Sequence, residues 1–309
     1  MAGPVDFARL RWLTDPVTSG LTASRWALKK GMRAAVAIAS PVLGRFAGAR
    51  SGHAPRVLTY HRVREAVREP FSVPPAALAE QMAWLESEGR VISADDLARF
   101  VAGESPPRPG SVLVTFDDGY RDFHAEALPI LRRHRIPAVL FVSVGAVTDR
   151  RDCGAEADAH VTWGELAEIR DAGISVASHG WDHVSLARIP VAEAGRQVAA
   201  ARDLLRRRLG DSAGVDFAYP YGTGGDFGRD TRTAVAAAGY RCAFTSVHGA
   251  IAPGLDPLEL PRDKVEGGEG MWMFRRIVGG GLDSWSLVDR GLWRWQAERR
   301  VVTEAGSEA

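Results

Sequence analysis

Short apolar runs alternate with segments of helical periodicity along most of the chain. The runs have the composition of buried strands, and they lie at 56–60, 112–116, 138–142, 174–178, 216–219 and 241–245. Between them, apolar residues recur at helical spacing, as Leu78, Met82 and Leu85 do, and predict amphipathic helices. Repeated strand–helix units of this kind predict a mostly parallel sheet, either closed into a barrel or open and doubly wound.

The same pattern divides the chain into three parts. Residues 1–53 carry no strand signal, residues 54–278 contain the strand–helix units, and residues 279–309 are first Gly-rich and then Trp-rich. We expect an N-terminal amphipathic helical extension, a central α/β domain, and a C-terminal Trp-rich helix with a frayed tail. The C-terminal helix is expected to dock on the domain; contact with a partner or a membrane is the alternative.

The N-terminal part carries a weak export-like pattern. Basic residues precede an apolar stretch at 34–43 and a small-x-small triplet at 47–49, although Arg45 interrupts the region where cleavage would occur. An amphipathic helix that packs on the domain or lies on a membrane surface is the favoured alternative. We therefore expect a cytoplasmic or peripheral-membrane location, with export to the cell envelope as the second choice. No apolar run reaches about 18 residues, so no transmembrane helix is predicted.

Charge and cysteine content limit the kinds of binding site that we expect in this chain. The 309 residues include 39 basic and 38 acidic side chains, for a net charge of +1, and the basic residues form no stripe, so nucleic-acid binding is not expected. Cys153 and Cys242 are the two cysteines, and their spacing supports neither a thiolate zinc site nor a disulfide framework. Any bound metal must therefore be held by histidines and carboxylates.

Three polar motifs follow predicted strands directly. They are Thr-Phe-Asp-Asp-Gly at 115–119, His-Gly-Trp-Asp-His at 179–183 and Pro-Tyr-Gly at 220–222. Each motif alone is typical of an ordinary turn or surface loop. Because loops at the carboxyl ends of parallel strands build the active sites of α/β proteins, the shared placement predicts one functional site.

The residue types in these motifs indicate hydrolysis. Two imidazoles and one carboxylate leave open positions on a divalent metal, as in a catalytic zinc site. Such a metal lowers the pKa of bound water to about 7 and polarises a carbonyl oxygen. A second carboxylate beside the ligands is suited to accept the proton of that water as general base. The expected reaction is metal-assisted hydrolysis of an amide or an ester.

The three motifs closely resemble those of the NodB-type polysaccharide deacetylases, carbohydrate esterase family four. The match includes Leu186 after the histidine pair, and the segment Leu-Thr-Tyr-His-Arg-Val at 58–63 resembles the opening strand of the longer, exopolysaccharide-associated bacterial members. The resemblance extends over about residues 57–265. It implies a distorted (β/α) barrel with fewer than eight strands.

The resemblance also implies an activity: removal of N-acetyl groups from N-acetylhexosamine units of a polysaccharide, oligosaccharide or lipid-linked saccharide, with release of acetate. On this reading, Asp117 is the general base, and Asp118, His179 and His183 hold the metal. The metal is most often zinc, and other first-row divalent ions remain open. The loop with Pro220 and Tyr221 is expected to line the sugar pocket, with a main-chain N–H in the oxyanion contact.

Two departures from the family pattern leave two roles unassigned: the arginine that orients the base and the general acid. Many members have an arginine that orients the base where this chain has Ala218, so either another arginine replaces it or the base is tuned differently. The general acid has no clear match: His248 is the candidate, and a surface histidine is the alternative. Asp263 is either a charge partner or a strand-end residue, and His61 either faces the pocket or lies in the core.

Two other functions fit the same residues. One is an amidase-like hydrolase that uses this site on a non-sugar amide. The other is a catalytically weakened relative that binds carbohydrate. The sequence indicates an N-acetylated saccharide as partner and does not indicate an oligomeric state.

Overall fold

The computed structural model describes residues 22–46, 54–105, 107–149 and 159–289. Its strands are β1 (Arg56–Tyr60), β2 (Arg62–Val63), β3 (Ser72–Val73), β4 (Val112–Phe116), β5 (Ala138–Val142), β6 (Ser175–Ser178), β7 (Phe217–Ala218), β8 (Ala243–Phe244) and β9 (Asp263–Lys264). Its helices are α1 (Ala23–Phe46), α2 (Pro75–Glu88), α3 (Ala94–Val101), α4 (Leu128–Arg133), α5 (Val144–Asp149), α6 (Trp163–Asp171), α7 (Val191–Leu209), α8 (Arg229–Ala237) and α9 (Met271–Val278).

Seven of these strands form one parallel sheet in the order β8-β7-β6-β5-β4-β1-β9, and β2 pairs with β3 separately. The segment 257–262 hydrogen bonds along 243–247 and then continues into β9, which pairs with β1. This segment links the two edges of the sheet, so the sheet curls on itself. The prediction of a distorted (β/α) barrel with fewer than eight strands is confirmed.

The central strands are apolar on both faces because both faces are covered. In β4, Val114 and Phe116 belong to the cluster that packs under the helices, whereas Leu113 belongs to a second cluster with Phe141 of β5 and Phe244 of β8. Alternate residues of a strand point to opposite sides, so each strand contributes to both clusters. This two-sided burial explains why these strands read as continuous apolar runs.

The observed strands β7 and β8 are shorter than their predicted runs. Each has two residues, whereas the apolar patterns predict strands over 216–219 and 241–245. Pro220 has no N–H to donate to the ladder, so the chain leaves the sheet there. The shortening brings the loop at 220–222 to the carboxyl end of the barrel.

Helix α1 packs on the domain with Lys29 and Arg33 turned inward. Lys29 and Arg33 are buried, and Nζ of Lys29 lies 2.9 Å from Oε1 of Glu266. Leu28 and Ile38 are exposed on the outer side of α1. One face of this helix therefore packs on the domain. None of the described helices is long and apolar enough to cross a membrane.

Parts of the predicted organisation lie outside the described residues. These are the triplet at 47–49, Cys153 and the C-terminal segment 290–309. Within the described part of the C-terminal segment, Trp285 is buried against the barrel.

Candidate active site

The three sequence motifs meet at the carboxyl end of the barrel. Asp117 and Asp118 directly follow β4, His179 and His183 follow β6, and Tyr221 follows β7. All of these residues line one small cavity. The order of the strands explains the meeting, because β5 separates β4 from β6 and all of these strands run in the same direction.

Asp118, His179 and His183 form a cluster of three possible metal donors. One ligand atom from each lies within 4.8 Å of the others. The Nε2 atoms of His179 and His183 lie 3.4 Å and 3.1 Å from Oδ1 of Asp118. Three donors of a tetrahedral zinc ion stand roughly 3.3 Å apart when each bond is about 2.0 Å long. The separations therefore fit a divalent ion bound among these atoms.

The hydrogen bonds of the cluster also fit a metal. Oδ1 of Asp118 is buried and has no hydrogen-bonding partner of good geometry in the described part of the chain. Nδ1 of His179 lies 2.8 Å from the carbonyl oxygen of Ala218 and donates to it. The other ring nitrogen, Nε2, is directed at the cluster, as in metal sites where a carbonyl orients a ligating histidine.

The backbone is strained at this cluster. Among the non-glycine residues of the described ranges, five have positive φ, and three of these are Asp118 (75°), His183 (54°) and Tyr221 (61°). Such conformations cost about 1–3 kcal/mol each and persist where the surroundings enforce them. Gly222, also left-handed at φ 62°, allows close approach, since a Cβ there would lie 2.8 Å from the main-chain nitrogen of Ser246. The orientation of these side chains therefore costs the folded state some stability.

Arg262 orients Asp117, as the arginine that is replaced by Ala218 in this chain does in many members of the family. Its Nη1 and Nη2 donate to Oδ1 and Oδ2 of Asp117, each at 2.7 Å, and its Nε donates to the carbonyl of Thr245 at 2.8 Å. Burial raises the pKa of Asp117, but the Arg262 guanidinium outweighs burial and holds this pKa below its ordinary value. Asp117 is thus an oriented, ionised carboxylate beside the donor cluster.

In the donor cluster, Asp118 and His183 shift each other's pKa toward the charged form. Burial raises the pKa of the Asp118 carboxyl, but His183 and His179 hold it well below its ordinary value. Burial lowers the pKa of His183, and Asp118 outweighs burial and raises it. Asp118 is therefore ionised, and a cation at this position meets a full negative charge.

The structure does not bring His248 to the cavity. Its imidazole is buried, Nδ1 lies 2.7 Å from Oδ2 of Asp289, and Nε2 accepts from the Lys264 N–H at 3.4 Å. His248 is therefore neither the surface residue considered as the alternative nor a lining residue of this cavity. Asp263 also lies elsewhere, where it accepts from Nη1 of Arg56 at 2.8 Å. Pro220 is buried behind the Tyr221 loop.

His61 is the cavity histidine that the sequence left unassigned. It lines the cavity with Asp117 and Asp118, and its ring meets the ring of Phe71 edge to face at 4.8 Å between centroids. Burial lowers the pKa of His61 although both aspartates raise it. Its place directly after β1, at the carboxyl end of a strand, is the signal that identifies it.

Lys264 and Ser246 also line the cavity, and the motifs gave no sign of them. Lys264 lies in β9, a strand of two polar residues that has no apolar pattern. Ser246 follows β8 by two residues. Both come from the carboxyl ends of strands that sequence patterns detect poorly.

Comparison with known proteins shows that the chain is similar to polysaccharide deacetylases. Residues 104–243 match the family model described as polysaccharide deacetylase. The putative polysaccharide deacetylase YxkH of Bacillus subtilis (strain 168) is 24% identical over 213 residues, which cover 69% of this chain and 71% of that protein. The poly-beta-1,6-N-acetyl-D-glucosamine N-deacetylase of Escherichia coli (strain K12) is 32% identical over 137 residues, which cover 40% of this chain and 20% of that protein's length.

A solved structure has the same fold. The Streptococcus pyogenes deacetylase PplD, determined in complex with acetate, aligns with a TM-score of 0.65 at 21% identity and covers 73% of this chain and 98% of its own. The motifs, the barrel and the family match agree. The resemblance of this chain to the NodB-type polysaccharide deacetylases is confirmed.

Proposed function

We propose that this protein is a metal-dependent N-deacetylase that hydrolyses the acetamido group of N-acetylhexosamine units and releases acetate. One observation carries the proposal: an ionised carboxylate, Asp117, is fixed by Arg262 in the same small cavity as the donor cluster. A binding protein has no use for a buried, oriented base beside a metal site. The weakened, carbohydrate-binding alternative is therefore the less favoured reading.

The metal would be held by Asp118, His179 and His183. One carboxylate and two imidazoles suit zinc, and other first-row divalent ions bind similar sets. When bound, such an ion makes water more acidic and polarises the acyl oxygen of the substrate.

Asp117 is suited to accept the proton of the attacking water. Its charge is secured by Arg262, which engages one lone pair of each oxygen and leaves others for water. The Arg262 bonds also fix the plane of the carboxylate. A base held in place in this way contributes to the rate through geometry as well as charge.

We assign delivery of a proton to the leaving amine to His61 rather than to His248. His61 faces the cavity, whereas both ring nitrogens of His248 are engaged by Asp289 and the main chain of Lys264. Tyr221, which also lines the cavity, is assigned the oxyanion contact through its main-chain N–H. A preorganised donor at that point is among the larger sources of catalysis.

The substrate class follows from the relatives. The Escherichia coli relative is named for poly-beta-1,6-N-acetyl-D-glucosamine, so β-1,6-linked N-acetylglucosamine oligomers are the first substrate to test. β-1,4-linked oligomers and a simple aryl acetamide complete the set. Hydrolysis of the aryl acetamide alone would favour the amidase-like alternative.

The test is acetate release from these oligomers by the zinc-loaded protein. We expect a chelator to abolish release, zinc to restore it, and Asp117→Asn to lower it on the order of a hundredfold or more. Asp171→Asn is the matched control, because Asp171 is exposed on α6, far from the cavity. Undiminished release by Asp117→Asn, or after complete metal removal, would overturn the proposal.

A further inference from the structure

Lys264 is a largely buried residue whose ammonium group forms no ion pair with a described side chain. The residue is 9% exposed, it lines the cavity, and its Nζ has no hydrogen bond or ion pair in the described part of the chain. Arg262 and Lys264 are separated by one residue in an extended segment, so they point to the same side, toward the cavity. Asp263, between them, points to the other side and pairs with Arg56.

The two other lysines of the chain show what is unusual about Lys264. Nζ of Lys29 lies 2.9 Å from Oε1 of Glu266, and Nζ of Lys30 lies 3.0 Å from Oε2 of the same residue. A largely buried ammonium group without such a partner gives up part of its hydration with no ion pair to offset the loss. An anion bound in the cavity would remove this cost.

The carboxylates nearest to the cavity do not serve as that anion. Both oxygens of Asp117 accept from Arg262, and Asp118 faces the two histidines of the donor cluster. The two aspartate charges are matched in number by those of Arg262 and Lys264, although Lys264 forms no ion pair with either aspartate. A divalent ion would therefore leave the cavity with excess positive charge, which favours an anionic ligand.

We propose that Lys264 binds the oxygen atoms of the acyl group as they become negative, first during attack on the amide and then in the released carboxylate. This inference rests on the proposed deacetylation. In that reaction water adds its oxygen to the acyl carbon and the carbon–nitrogen bond breaks. The amine leaves with the protons, and the acyl group leaves as the acetate anion, which pairs with the Lys264 ammonium.

The same charge discriminates between the two products. Acetate is attracted by Lys264, whereas the protonated amino sugar is repelled. The Lys264 ammonium group therefore favours both the retention of acetate and the release of the amine. Acetate is thus expected to inhibit the enzyme, and a deacetylated oligomer is expected to bind weakly.

The test is acetate binding, measured by titration calorimetry on the zinc-loaded full chain, together with acetate release. For Lys264→Met we expect affinity for acetate to fall on the order of tenfold or more, with kcat lowered and with tighter binding of glucosamine oligomers. Lys264→Arg should retain most of the acetate affinity because it keeps the charge. Arg135→Met, which removes one exposed positive charge far from the cavity, should bind acetate as the unmodified protein does.

The outcomes separate this inference from the proposed function. Unchanged acetate affinity in Lys264→Met would overturn the role of Lys264 while deacetylation itself stands. Failure of the unmodified protein to release acetate from any oligomer would overturn the proposed function instead. Lys264→Gln provides a second neutral variant, and an unaltered melting temperature in either one excludes misfolding as the cause.

Discussion

Arg262 donates two hydrogen bonds of 2.7 Å to Asp117, which lies 145 residues earlier in the chain. The guanidinium is fully buried and is itself fixed by the carbonyl of Thr245. A bidentate pair of this kind sets both the charge and the orientation of a carboxylate. Asp117 is thereby prepared before any substrate binds.

Replacing Arg262 with Met should shift the pH dependence of deacetylation. Burial raises the pKa of Asp117 and Arg262 lowers it, so loss of the guanidinium leaves burial unopposed and the pKa rises. The base works only when deprotonated, and the acid limb of kcat/KM should therefore move to higher pH, by roughly 1–3 pH units. Arg262→Lys should shift it less, because lysine keeps the charge but cannot bind both oxygens in plane. An acid limb that stays in place in Arg262→Met would refute this role.

Removal of any one donor of the cluster should lower metal content and activity together. Asp118→Asn, His179→Ala and His183→Ala each take away one atom of a set that lies within 4.8 Å. Elemental analysis after dialysis against a weak chelator measures the retained zinc, with Asp171→Asn as the control. Full zinc retention by a protein that lacks both histidines would show that the metal lies elsewhere.

Much of the fold was predictable from hydrophobic pattern, since burial on both faces leaves a continuous apolar run. The runs at 56–60, 112–116 and 138–142 coincide with β1, β4 and β5. The pattern fails for β9, whose two residues are Asp263 and Lys264. That strand is held by its pairing with β1 and by the ion pair of Asp263 with Arg56, and neither leaves a local signal in the sequence.

Some residues of the candidate site were likewise predictable from the sequence, and others were not. Motifs of adjacent residues at strand ends indicated Asp117, Asp118, His179 and His183, because a short spacing along a loop limits how far apart side chains can lie. Arg262 could not be assigned to Asp117, since their contact depends on how the barrel closes. The choice between His61 and His248 likewise depends on which residue faces the cavity.

His61→Asn and His248→Asn should have different effects. His61 lines the cavity, so its loss should lower kcat on the order of a hundredfold with little change in melting temperature. His248 bonds Asp289 and the main chain of Lys264, so its loss should mainly lower stability. Steady-state kinetics and thermal unfolding on both variants measure the contrast. The reverse pattern, with kcat lost only in His248→Asn, would return the proton-donor role to His248.

Glu266 should make the docking of α1 sensitive to acid. Burial raises its pKa, but Arg33, Lys29 and Lys30 outweigh burial and hold it well below the ordinary value of 4.5. Because the pKa is lower in the folded state, the stabilisation is complete above 4.5 and is lost as pH falls toward the folded-state pKa. Glu266→Gln, which leaves the buried Lys29 without its ion pair, should therefore cost about 3–5 kcal/mol of unfolding free energy at neutral pH and progressively less in acid. Urea denaturation over this range tests the trend, with the exposed Glu104→Gln as control, and a cost that does not depend on pH would contradict it.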